Sequence, residues 1–288
     1  MSNARLYWLH ALSSLHVGAG RGVGYIDLPI MREKVTNWPL VPGSAVKGVL
    51  RDHYANTPHV NPAFGKSGDE NANSGSLVFS DARIACLPVR SLYGTFAWCT
   101  SPGVLRRLSR DLAAAGLTGA PQPAALSPAE ERTWMPQGTQ LKAPNGKVYL
   151  EDLDLTAVER EEAKGWANWF SRHLGLDETW KAAFLARFAI VPDNVFDFLS
   201  ETGTEVVARV RIEDDKKTVA SGALWYEESL PAETILGGLV WCDRIYGGNG
   251  LKPEQLLSEY CKNVHLQMGG KATVGHGRVH CIFANGGN

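Results

Sequence analysis

A few side chains in this sequence have the type and spacing to move protons or hold phosphate. Asp27 lies in Tyr25-Ile26-Asp27-Leu28-Pro29-Ile30, directly after Gly18 to Gly24, where every second residue is glycine. Glycine at that spacing cannot sustain a regular element but lets the backbone take positive φ or approach another molecule closely. A carboxylate beside it can cap a turn, bind a metal ion or act on a proton. His16, on the same strand face as Ser14, either points to that place or closes a hydrogen bond within its strand. Glu227 and Glu228 follow Trp225-Tyr226 and are either strand-end carboxylates or proton carriers.

Two other places could hold a phosphate. Pro42-Gly43-Ser44 opens a helical pattern bearing Lys47 and Arg51, so main-chain N–H groups and two cations could receive an anion, or could simply start a helix. Gly269-Gly270-Lys271-Ala272-Thr273-Val274-Gly275-His276-Gly277-Arg278 could wrap a sugar-phosphate backbone or form a plain cluster of turns. The glycines do not follow G-x-G-x-x-G, and Ser44 to Gly48 lacks the Walker order, which excludes dinucleotide and P-loop sites. No G-x-S-x-G or H-E-x-x-H is present, so the common hydrolase families are excluded as well.

These groups need elements to position them. Arg5 to Val17 alternates with apolar residues on both faces and predicts a strand buried on both sides. Ser44 predicts an N-cap for a helix ending near Ala55, and polar Pro58 to Gly75 predicts a surface loop. Strands are expected at Ser76 to Phe79 and Arg83 to Val89, and a helix from Pro102 to Gly116 with a linker to Pro128. Thr156 with Glu159 predicts a capping box opening a helix that closes at Gly175, with a second helix over Glu178 to Phe188. Val206 to Ile212 and Thr218 to Tyr226 flank a polar turn, Glu213 to Lys217, and predict a projecting hairpin. A helix from Pro253 to about Asn263 and a last strand, Arg278 to Phe283, complete the pattern. It is compatible with an α+β fold, a ferredoxin-like βαββαβ core carrying large insertions.

The 288 residues, 44% hydrophobic and 20% charged, suit a globular protein, expected as one domain over 1–288 with a mostly helical insertion at about 101–200. No apolar run approaches the roughly eighteen residues of a membrane span, and no secretory signal is visible, so a cytoplasmic location is expected. Five scattered cysteines without a C-x-x-C pair argue against a disulfide framework or a zinc site. The net charge of −1 does not advertise a polyanion partner, so any cationic groove must be local.

Six strings resemble, in order, the RAMP-type backbone subunit of type III-B CRISPR (Cmr) effector complexes. They are Leu15 to Gly20, Ile26 to Ile30 with Arg32-Glu33, Pro42 to Ser44 with Lys47-Gly48, Ser80 to Ala82 with Pro88 to Ser91, Leu224 to Glu228, and Gly269 to Gly277. The resemblance implies an RRM-like palm, a hairpin thumb at about 204–226, and copies stacked in a filament with other Cmr subunits along a CRISPR guide RNA. It further implies periodic cleavage of paired target RNA, with sequence read by base pairing and the protein gripping backbone and shape. In that family the aspartate of I-D-L-P is tied to cleavage and falls here on Asp27, with His16 or Glu227 to move the proton and Mg²⁺ or Mn²⁺ held near Asp27. Arg21, Arg32, Lys47, Arg51, Lys271 and Arg278 could then line the RNA groove, together with Gly43, Ser44, Gly269, Gly270, Gly275 and Gly277. A purely structural guide-binding subunit is the alternative.

Overall fold

The computed structural model describes residues 4–22, 24–66, 68, 72–122, 131–213, 215, 219–248 and 250–284. Strand β1 (Arg5–Ala11) is followed by β2 (Leu40–Val41), helix α1 (Gly43–His53), the short α2 (Val60–Phe64), and small strands β3 (Gly65–Lys66), β4 (Asn73–Ser74) and β5 (Val78–Phe79). Next come β6 (Ala82–Arg90), β7 (Phe96–Thr100), α3 (Pro102–Ala114), β8 (Arg132–Met135), β9 (Lys147–Leu150) and β10 (Leu153–Glu159). Helices α4 (Glu161–His173) and α5 (Glu178–Arg187), strand β11 (Phe188–Ile190) and helix α6 (Asp193–Thr202) lead to the hairpin β12 (Glu205–Ile212) and β13 (Val219–Ser229). The last elements are β14 (Ile235–Trp241), α7 (Pro253–Tyr260), β15 (Val264–Gln267) and β16 (Arg278–Ala284).

One twelve-stranded mixed sheet runs β15-β16-β1-β14-β6-β7-β11-β8-β10-β9, with β2 added to β6 and β5 to β14. Neighbours along β16-β1-β14-β6 are antiparallel. The two-faced alternation of β1 has a simple cause. Tyr7, Leu9 and Ala11 pack with Val46 and Leu50 of α1 and Leu256 and Leu257 of α7, while Leu6 and Trp8 pack with Trp166, Trp169 and Phe170 of α4. Such burial on both faces puts β1 at the centre of the apolar core, the main source of folding free energy. Opposite it, Gly237 faces Trp8 and Gly238 faces Tyr7. A Cβ at either glycine would stand 2.5 Å from the facing ring or its hydroxyl, so these two β14 positions admit the large side chains of β1.

Several local expectations are corrected. Strand β1 ends at Ala11, short of Val17, because Leu15 leaves the sheet to pair with Leu230 at the hairpin base. Pro42 takes the N-cap place assigned to Ser44, and Asp81 Oδ1 accepts the Gly43 N–H at 2.9 Å. Thr156 and Glu159 lie within β10, and α4 starts at Glu161. Residues 58–75 hold α2, β3 and β4, although 67 and 69–71 lie outside the described residues. The 101–200 insertion carries α3 to α6 but also lends β8 to β11 to the main sheet. Parts of the expected linker (123–128) and hairpin turn (214, 216 and 217) fall outside the described residues.

An ion-pair network ties α3 to the segment after the Asp27 loop. Arg107 grips Glu33 with both terminal nitrogens while its guanidinium lies 5.5 Å from the centre of the Trp38 ring. The Arg107 hydrogen bonds pull the Glu33 carboxyl down to about 2 against the opposing effect of burial, with Thr36 and the charges of Arg107 and Arg83 assisting. A depressed carboxyl stabilises the fold above its unfolded value and loses that contribution as it protonates. We therefore expect the melting temperature to fall between pH 4.5 and about 2, and Arg107→Met to flatten this acid branch. An unchanged pH dependence in Arg107→Met would show the pair to be inconsequential.

Candidate nucleic-acid interface at the root of the hairpin

Strands β12 and β13 form their own two-stranded sheet, registered from Glu205 opposite Ser229 to Val210 opposite Leu224. The free edge of β13 is taken by the segment around Asp27. Leu28 N donates to Tyr226 O at 3.0 Å and Glu228 N donates to Leu28 O at 3.0 Å. The glycine segment folds back over this strip, with Ala19 N donating to Pro29 O at 2.9 Å and Met31 N to Val17 O at 2.8 Å. A Cβ at Gly22 would stand 2.3 Å from Ile26 O, so only glycine lets the return pass this closely.

Asp27 is exposed, and its Oδ2 accepts the Tyr226 N–H at 2.8 Å. His16 is anchored two residues further along β13, through Nδ1 at 2.6 Å from Glu228 O. The two anchors are thus roughly 7 Å apart along the strand. A carbonyl can only accept, so Nδ1 carries the proton and a neutral imidazole keeps its lone pair on Nε2. Gly18 leaves that nitrogen uncovered, since a Cβ there would lie 2.8 Å from Nε2.

The paired carboxylates face different environments. Glu228 is 2% exposed, accepting from Arg32 at 2.5 Å, Thr204 at 3.0 Å and the Ile30 N–H at 3.0 Å. Glu227 is 5% exposed and accepts from Trp225 Nε1 at 2.6 Å and Lys271 Nζ at 2.7 Å.

The second glycine loop closes the site from below. Gly270 N donates to His16 O at 2.9 Å and Gly277 N to Ser14 O at 2.8 Å, while Gly269, Gly275 and Gly277 all take left-handed φ near +80°. A Cβ at Gly269 would lie 2.2 Å from His16 O, so the loop positions the histidine by direct contact. Its glycine amides therefore hold the protein's own backbone.

The structure thus brings together His16, Asp27, Glu227, Gly269, Gly270 and Lys271, with Arg21 exposed on the adjoining glycine segment and Arg278 exposed where the second loop enters β16. Helix α1 is placed elsewhere, against β5 and β15. There Gly43 spends its N–H on Asp81, and a Cβ at that residue would stand 2.3 Å from Phe79 O. Lys47 donates to Leu77 O at 2.8 Å and burial lowers its pKa, while Ser44 is exposed and Arg51 half-buried. Arg32 is committed to Glu228, Asn37 O and Ser200 O. Gly43, Lys47 and Arg32 thus each have partners within the chain.

A model of the RAMP superfamily matches residues 8–280. The chain belongs to that superfamily. This RAMP chain is 32% identical to the CRISPR system Cmr endoribonuclease Cmr4 of Pyrococcus furiosus, covering 96% of this chain and 94% of the relative. It is 22% identical to the CMR subunit Cmr4 of Saccharolobus solfataricus over 97% of this chain and 96% of that one. Its fold matches the crystal structure of oligomeric Cmr4 from Pyrococcus furiosus with a TM-score of 0.77 and 26% identity, each chain covered completely. No helix among the described residues of this RAMP chain is long and apolar enough to cross a membrane.

Sequence reasoning missed two members of the RAMP site, Arg209 and Trp225, which stand opposite one another across the hairpin. Alternation along β12 and β13 was the available signal, because it puts both on the face of Glu227. The expected Mg²⁺ or Mn²⁺ centre at Asp27 does not fit a site made by these side chains alone. The neighbouring carboxylates are neutralised by Lys271, Arg209 and Arg32, and among the described residues no three His, Cys, Asp or Glu are placed to hold an ion.

Proposed function

We propose that this chain is the repeated backbone subunit of a type III-B CRISPR effector, stacking with copies of itself and other Cmr subunits along a guide RNA and cutting the paired target at regular intervals. The observation that carries it is the convergence, at the hairpin root, of an exposed carboxylate and a histidine whose Nε2 is kept free. The names of the full-length relatives support the same reading. An RRM-like palm is supported by the order β16-β1-β14-β6, with α1 following its first strand and α7 preceding its last.

The hairpin acts as a thumb. Exposed Val206, Val210, Ile212 and Leu224 offer an apolar wedge under a base of the guide–target duplex. Extruding a nucleotide costs a few kcal/mol of stacking but frees the adjacent ribose from A-form geometry. The 2′-oxygen then attacks its own phosphorus, forming the 2′-O–P bond and breaking the P–O5′ bond to leave a 2′,3′-cyclic phosphate and a 5′-hydroxyl. His16 Nε2 takes the 2′-hydroxyl proton, and solvent returns one to the departing 5′-oxygen. A divalent ion at Asp27 would need ligands beyond those the described residues offer, such as RNA phosphates, and no step above depends on it.

The test is target cleavage by the guide-loaded complex carrying Asp27→Asn. We expect cleavage to drop at least about tenfold with target binding intact, because the exposed Asp27 charge at the same root stabilises the imidazolium formed as His16 takes the 2′-hydroxyl proton. Wild-type cutting by this variant would leave the chain a guide-binding scaffold.

A further inference from the structure

We propose that Arg209 and Lys271 form the clamp for the scissile phosphate, and that Glu227 is the buried post positioning both, with no part in proton transfer. This rests on the cleavage reading above and adds the residues that bear the transition-state charge.

The geometry has three parts. First, Glu227 is almost wholly buried, and its two oxygens face three donors: Trp225 Nε1 at 2.6 Å, Lys271 Nζ at 2.7 Å and Arg209 Nε at 3.4 Å. Burial pushes its carboxyl up, but the Lys271 and Trp225 hydrogen bonds with the charges of Lys271 and Arg209 outweigh this and lower it. A carboxylate so held is a poor base. Second, each cation keeps about a third of its side chain exposed, at 36% in both cases, while the carboxylate behind them stays covered. Two cations on one carboxylate leave positive charge facing outward, and the terminal nitrogens of Arg209 bond none of the described residues. A guanidinium presenting that edge can take two phosphate oxygens at once.

Third, Lys271 holds φ of +66°, a left-handed backbone uncommon outside glycine. Such an outlier persists only where its surroundings enforce it. Here the enforcement comes from the Glu227 pair and from Gly270, whose N–H is fixed to His16 O, so the cation is locked one residue from the contact that seats the histidine. In-line attack builds charge on the non-bridging phosphate oxygens, and preorganised cationic donors beside the base stabilise that charge.

The experiment compares Arg209→Ala, Arg209→Lys and Glu227→Gln in the guide-loaded complex, reading single-turnover cleavage and binding of a complementary oligoribonucleotide. We expect Arg209→Ala to lower the cleavage rate about a hundredfold, as loss of one preorganised donor does. Binding should change by less than about threefold, because pairing with the guide holds the target. Arg209→Lys should recover part of the rate. Glu227→Gln should cut slowly yet keep the acidic limb of the pH–rate profile, since the proton goes to His16. Wild-type cleavage by Arg209→Ala overturns the clamp, and loss of the acidic limb in Glu227→Gln makes Glu227 the base and overturns the proposal equally. Wild-type cleavage by Asp27→Asn instead removes the reading beneath it, whatever Arg209 does.

Discussion

Arg32→Met should destabilise the chain by about 3–5 kcal/mol, the usual cost of stranding one partner of a buried ion pair. The Arg32 side chain is 15% exposed and that of Glu228 only 3%. Arg32 also donates to Asn37 O at 2.8 Å and Ser200 O at 3.0 Å, while Glu228 holds the Ile30 N–H. One pair therefore fastens the Asp27 loop, the end of α6 and the hairpin root together. Removing the guanidinium leaves a carboxylate without its counter-ion in a place water barely reaches. For a domain of this size the loss corresponds to a fall of roughly 6–20 °C in melting temperature. The double variant Arg32→Met, Glu228→Leu should regain much of it, because an apolar pair of similar volume carries no stranded charge. Calorimetry on the two variants decides the matter: a single variant within about 1 kcal/mol of wild type would reduce this pair to an ordinary surface contact.

The same pair shows where sequence reading stops. The type of Arg32 and its place beside the I-D-L-P string make it look like a phosphate ligand, and nothing local reveals a buried carboxylate 196 positions away that consumes it. The partners of Lys47 and Gly43, Leu77 O and Asp81, likewise lie beyond the helix that carries them. A glycine within three residues singles out Asp27, His16 and Lys271 in the sequence, since glycine marks places where the backbone must turn sharply or pass close. Arg209 was legible only through strand alternation, and only once Glu227 had been given a direction. In the fold, β1 could be read because a strand between two cores must be apolar on both faces. Strand β14 could not, because Gly237 and Gly238 weaken strand propensity and their reason sits on β1, in the rings of Trp8 and Tyr7. Likewise β11 follows α5 without a break, so Phe188 reads as helix until β7 is present to pair with it.

Cleavage should depend most steeply on His16. In His16→Asn the side-chain amide can still donate to Glu228 O, so the seat of the residue survives while the basic nitrogen is lost. We expect the single-turnover rate to fall by about 10²–10⁴-fold, the range for removing a positioned general base, with guide loading and target binding retained. The melting temperature should hardly move, which separates this result from the structural collapse expected of Arg32→Met. The acidic limb of the pH–rate profile should vanish as well, because the general base is gone. That limb is the sharper readout: a slow variant that keeps it would show that His16 only shapes the site and that another group accepts the 2′-hydroxyl proton. With Glu227 tied to three donors and Glu228 buried behind Arg32, Asp27 and solvent are the first candidates to do so at this root. The Asp27→Asn and His16→Asn profiles, measured side by side, tell those apart.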